Sequence, residues 1–178
     1  MILKPQDIVV LLKLVSIGQV EWSYNKIALA LNMSPSEIHA AIKRTTSAQL
    51  SVRYHNQTKP NIRNLKEFLV HGLKYVFVPE RGEMTRGITT AYAAPPLLDQ
   101  LVSSDEPPPV WPDPDGDTRG LAFSPLYPSV PQAARKDHRL YELLVLVDGI
   151  RGGHAREHQI AVLEIQRRLD LYDDADKS

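Results

Sequence analysis

Two sets of residues in this chain have the types and spacing to do chemistry. The first is His154-Ala-Arg-Glu157-His158, an H-x-x-E-H arrangement that on one helix can set two imidazoles on a zinc ion with the glutamate as general base. No distant helix offers an evident third ligand with its own acid partner, and His154 follows the Gly152-Gly153 pair, so the expected reading is a group of exposed polar side chains. The second set is a row of short polar and basic residues: Ser34, Ser36, His39, Lys43, Arg44 and Ser47. These side chains donate to phosphate oxygens and to base edges, and the small ones let a helix come close to a major groove. Other signatures are absent. There is no Walker loop, no G-x-G-x-x-G and no G-x-S-x-G, and Asp113 to Asp117 lacks the spacing and closing glutamate of a calcium loop. With no cysteine, thiolate metal sites, disulfides and cysteine nucleophiles are excluded. We therefore expect no enzyme, no catalytic residue, no metal and no cofactor.

The apolar spacing says which elements carry the second set. Ile8, Leu11, Leu12 and Val15 mark an amphipathic helix over Pro5 to Ile17, ending at Gly18. Ser23 stands as N-cap of a short helix from Tyr24 to Leu31, which stops at Asn32-Met33. Ser34-Pro35-Ser36-Glu37 is a capping box with proline at the first helical position, so a third helix starts at Pro35. Along it Ile38, Ala41, Ile42 and Thr45 form the inner side. Ser36, Ala40, Lys43 and Ser47 lie central on the outer side, flanked by His39 and Arg44. Two short helices joined by a few residues make a helix-turn-helix.

The segment Ile27-Ala-Leu-Ala-Leu-Asn-Met-Ser-Pro-Ser-Glu-Ile-His-Ala-Ala-Ile-Lys-Arg44 resembles the helix-turn-helix core of MarR-like winged-helix transcriptional regulators, over about residues 5–92. The resemblance implies a recognition helix in the major groove, a β-hairpin wing with an arginine reaching the minor groove or backbone, and dimerisation through helices outside the reading core. Lys74-Tyr-Val-Phe-Val78 reads as a strand, Pro79 to Met84 as a loop containing Glu80-Arg81-Gly82, and Thr85 to Ala91 as a candidate return strand, which makes Arg81 and Arg86 the expected wing contacts. The pattern departs from the family between Leu50 and Leu73, where a fourth helix is expected from Asn61 to Val70. Trp22 and Tyr24 read as core and capping packing rather than a base-stacking platform.

Ten of the 14 prolines lie between Pro95 and Pro131, where no long helix can run. At an offset of 33 residues the chain matches itself: Phe77 to Ile88 aligns without gaps to Val110 to Leu121, with Thr-Arg-Gly-aliphatic recurring in register. This predicts two similar hairpins, with Arg86 and Arg119 on their exit strands. The two arginines could grip phosphate together, bind carboxylates that join the hairpins, or pair within their own hairpins. After about Ala133, Leu140, Leu143, Leu144 and Val147, then Ile160, Leu163, Ile165 and Leu169, suggest a helical hairpin.

The fold expected is mainly α with small β-hairpins. It divides into a winged helix-turn-helix over 1–94, a Pro-rich segment with a second hairpin over 95–132, and a C-terminal helical hairpin over 133–172. Charge follows this order. Residues 1–90 carry 12 Lys+Arg and 6 Asp+Glu, and residues 91–178 carry 9 and 15, a basic front for a polyanion and an acidic back for assembly. The expected protein is a cytoplasmic, sequence-specific DNA-binding regulator, a repressor of its own gene acting as a homodimer, with no membrane partner. The alternative is an antitoxin-like or adaptor module whose C-terminal half holds a protein partner through Asp148, Arg151, Arg156 and Glu157.

Overall fold

A computed structural model describes residues 1–178. It is mainly helical with two small sheets, and no helix is long and apolar enough to cross a membrane. The first two helices have the expected bounds, α1 (Pro5–Ile17) and α2 (Tyr24–Leu31), and α3 (Pro35–Ser47) has the expected start. Each start follows from local chemistry. Ser23 accepts the amide of Lys26, while Ser34 Oγ accepts the Glu37 amide at 3.2 Å and Glu37 returns the bond to the Ser34 amide at 2.7 Å. α2 stops because Asn32 turns left-handed (φ 52°), a conformation asparagine tolerates.

The chain then differs from expectation. A two-stranded antiparallel hairpin, β1 (Ser51–Tyr54) and β2 (Gln57–Pro60), follows α3 directly, with His55-Asn56 as its turn. Residues Lys74 to Val78 are not a strand. α4 (Ile62–Glu67), a π-helical turn (Phe68–Gly72) and α5 (Leu73–Val76) run on without a break, because Ile62, Leu65, Leu69 and Leu73 form one buried stripe that only a helix presents. The β-branched and aromatic character of Tyr75, Val76 and Val78 yields to that stripe, and all three are exposed.

The repeated segments do not build two hairpins either. β3 (Arg81–Thr89) and β5 (Thr118–Phe123) pair antiparallel with each other, setting Thr85 opposite Gly120, Arg86 opposite Arg119 and Gly87 opposite Thr118. The two Thr-Arg-Gly copies thus meet head to tail about a local dyad. β4 (Pro109–Pro112) runs antiparallel to β3 and parallel to β5, so each of the three strands pairs with both others. The close fit requires glycine, since a Cβ at Gly87 would stand 2.0 Å from the Trp111 carbonyl oxygen, and one at Gly120 would stand 2.0 Å from that of Pro108.

α6 (Val130–Lys136), α7 (His138–Gly152) and α8 (Ala155–Lys177) complete the chain. α7 is the centre of the molecule. Leu143 to Arg151 are buried without interruption, and α7 packs against α1, α5, α6 and α8. One hydrophobic core of 38 residues draws on α1, α3, α4, α7, α8 and Trp111 together, so all three sequence segments fold around shared interior.

Candidate nucleic-acid interface

The inner side of α3 is as read from the sequence: Ile38, Ala41, Ile42 and Thr45 are buried. Its outer side exposes Ser36, His39, Lys43, Thr46 and Ser47. The imidazole of His39 lies flat on the ring of Tyr24, with centroids 3.5 Å apart and planes inclined by 10°. Tyr24 in turn meets Trp22 edge to face at 5.3 Å. The three rings hold His39 at the surface in one orientation, a role for Tyr24 that its position next to a cap did not suggest.

The β1–β2 hairpin stands beside this face. Trp22 Nε1 donates to the Thr58 carbonyl at 3.2 Å, and Gln57 Nε2 donates to the Trp22 carbonyl at 3.2 Å, so the hairpin is tied to the start of α2. Between α3 and the hairpin opens a cleft of about 290 Å³ whose walls include Tyr24, Lys43, Thr46, Arg53 and Asn56. Val52, Arg53, Tyr54, His55 and Asn56 are exposed, and Arg53 and Lys43 form no ion pair, whereas Lys59 is drawn to Asp176. Arg53, Tyr54, His55 and Asn56 do not stand out in the sequence because β1 is only four residues long and β2, Gln57-Thr-Lys-Pro60, carries no apolar alternation. Val52 and Tyr54 alternating just before a His-Asn turn were the available signal.

Other expected contacts lie elsewhere. Ser34 spends its hydroxyl on the cap and on Ser36 Oγ at 3.1 Å. Arg44 points inward: its Nε and Nη2 fork onto the two oxygens of Asp7 at 2.8 and 2.7 Å, with the Asp7 side chain fully buried. That bond holds the guanidinium above its ordinary range. Arg44 is thus a strut between α3 and α1, where Asp7 also accepts the Lys4 amide at 2.8 Å. Arg81 and Arg86 are on β3, not on the hairpin that follows α3. Arg81 donates to the Gly152 carbonyl at 2.6 Å and lies 4.9 Å over the Phe123 ring.

The expected partner surface is mostly interior. Asp148, 1 % exposed, accepts from Thr90 Oγ1 at 2.6 Å, Trp111 Nε1 at 2.7 Å and Arg151 Nη1 at 2.7 Å. Arg151 adds bonds to the carbonyls of Phe77 at 2.8 Å and Ser124 at 3.2 Å. Burial pushes the Asp148 carboxyl up, against the pull of Arg151 and the two neutral donors. Glu157 is also buried, its carboxyl raised by burial and its Oε1 without a partner. Only Arg156 of the four is exposed. In the H-x-x-E-H segment, His158 Nδ1 faces the Ile150 carbonyl at 3.2 Å, and no cluster of three or more histidine, aspartate or glutamate side chains is placed to hold a metal.

Set against protein-family models, curated proteins and solved structures, the chain matches none of them.

Proposed function

We propose that this chain is a sequence-specific DNA-binding regulator of winged helix-turn-helix type, in which α3 enters the major groove and the β1–β2 hairpin serves as the wing. The observation that carries the reading is the shared open face of α3 and the hairpin. Lys43 and Thr46 stand across one cleft from Arg53 and Asn56, with Ser36, His39 and Ser47 exposed on the same helix, His55 exposed at the hairpin turn, and Lys43 and Arg53 free of carboxylates. Groups that read bases or phosphates need this freedom, because a cation already paired in its own protein has little to gain from a phosphate. On this reading the hairpin that directly follows α3 takes the part of the MarR-like wing, and Arg53 the part the resemblance gives to Arg81 and Arg86.

The reading includes a homodimer, with two half-sites about one helical turn apart, and regulation of the chain's own gene. Fluorescence anisotropy of the purified protein with its own upstream duplex and a scrambled duplex tests it at two salt concentrations. Preferential binding that weakens steeply with salt is expected. Equal, salt-insensitive binding to both duplexes overturns the reading.

A second reading, an adaptor or antitoxin-like module, draws on a different surface. Tyr75 on α5 and Leu163 on α8 expose apolar side chains in a groove of about 480 Å³ that Val70 and Val162 also line, and Val76 and Val78 are exposed nearby in the chain. Sedimentation of the full chain, alone and as Leu163→Glu, separates a self-associating face from a monomer that awaits another protein.

A further inference from the structure

We propose that Arg86 and Arg119 together form a binding site for a phosphate group. The site goes beyond the α3 face and does not depend on it, since both arginines belong to the three-stranded sheet. Directly opposed residues of an antiparallel pair share one face, with Cβ atoms about 5 Å apart. Both arginines are exposed. Arg44, Arg135, Arg151, Arg167 and Arg168 each pair with a carboxylate, but Arg86 and Arg119 pair with none. The only bond from either guanidinium is a long one, 3.4 Å from Arg86 Nη1 to the Gly116 carbonyl.

Like charges set directly opposite each other repel, and here the backbone cannot drift to separate them. β4 clamps both strands at the glycines next to the arginines, where not even a Cβ fits. Packing therefore accounts for the repeated glycines and leaves the repeated arginines without a partner inside the protein. Two facing guanidinium forks suit a tetrahedral oxyanion. One planar carboxylate is satisfied by one fork, whereas a phosphate offers oxygens to both sides and turns the repulsion into two charge-assisted contacts. On the same face Met84 and Leu121, 41 % and 39 % exposed, border the pair on one side. Asp117 borders it on the other, with its carboxylate engaged by Thr118 Oγ1 at 3.0 Å.

The phosphate could be carried by a small phosphorylated molecule or by a nucleic-acid backbone, and the experiment separates the two. The full chain is titrated calorimetrically with inorganic phosphate at constant ionic strength, and by anisotropy with a DNA duplex. The variants are Arg86→Gln, Arg119→Gln, the double variant, and Arg139→Gln as an exposed arginine elsewhere. Saturable phosphate binding is expected, at least tenfold weaker in each single variant, lost in the double variant and unchanged in Arg139→Gln. Arg119→Lys, which keeps the charge and loses the fork, should fall in between. A small-molecule source leaves DNA affinity intact in the double variant; a backbone source lowers it and reduces its salt slope by about 2. Phosphate and DNA behaviour that is the same with and without the two arginines, including binding of neither, overturns the proposal. Intact phosphate binding in a chain that binds no DNA overturns the regulator reading alone.

Discussion

Lys43 and Arg53 stand at the rim of an open cleft, while Asp148 and Arg151, ordinary charged residues by sequence, are sealed in the centre of the molecule. The first pair touches no countercharge. The second is saturated with bonds from five different parts of the chain: α7 itself, Thr90, Trp111 and the carbonyls of Phe77 and Ser124. The contrast teaches that a charged residue becomes a contact or a strut according to what surrounds it. On α3 the neighbours are small and leave the charge in water. On α7 a continuous run from Leu143 to Ile150 pulls the charge inside with it, where only a full set of partners makes it tolerable.

Substitutions should magnify that difference. Asp148→Ala strands a buried guanidinium and two donors, so a loss of about 3–5 kcal/mol is expected in urea unfolding; a loss under about 1 kcal/mol would show that the cluster is wet and not a strut. Lys43→Ala and Arg53→Ala should each leave unfolding within about 0.5 kcal/mol of the parent. Each should weaken DNA binding about tenfold and lower the salt slope by about 1. Undiminished affinity in both would remove the open face from any DNA role. Ser34→Ala sits between the two regions in kind, because it touches the site only by starting α3. It should cost about 1 kcal/mol of stability, with DNA affinity falling only as far as α3 frays, as circular dichroism would register.

Glu157 offers the finest distinction within the buried set. Burial raises its carboxyl and Oε1 has no partner, so the folded state holds the proton more tightly than the unfolded chain does. Its contribution to stability is complete below the unfolded pKa and is lost as pH rises through the folded one. Glu157→Gln, neutral throughout, should therefore raise Tm relative to the parent at about pH 8 and lose that advantage below about pH 4. A constant difference across the range would mean that the carboxyl is satisfied in both states.

How much of this was legible in the sequence varied with how local the cause was. Caps and short-range periodicity fixed α1, α2 and the start of α3 residue for residue, because Ser23, Ser34, Pro35 and Glu37 act within four positions of themselves. The spacing of Ile38, Ala41, Ile42 and Thr45 also placed Ser36, His39 and Lys43 on the open side. Three features were hidden, because residue type alone does not show what a segment packs against. Arg44 looked like its neighbours until Asp7, 37 residues away, turned it inward. Lys74 to Val78 has strand-forming residues, yet Leu65, Leu69 and Leu73 had already committed the segment to a helix. The offset of 33 residues predicted two similar hairpins with Arg86 and Arg119 on their exit strands, whereas the two copies lie on β3 and β5 of one sheet. It could not say that the two copies would pair with each other, since a repeat fixes likeness and leaves contact open.

The indole of Trp111 is wholly buried and bonded to Asp148, and the chain has one other tryptophan, Trp22, partly exposed beside the α3 cleft. The molecule thus carries two separate optical labels, one at each of the regions contrasted above. A ligand settling in the cleft should alter emission and quenching from Trp22 alone, while a red shift from Trp111 reports water reaching the central carboxylate. Excited at the red edge, or with either indole replaced by phenylalanine, the same sample distinguishes an occupied surface from a loosened interior by its colour.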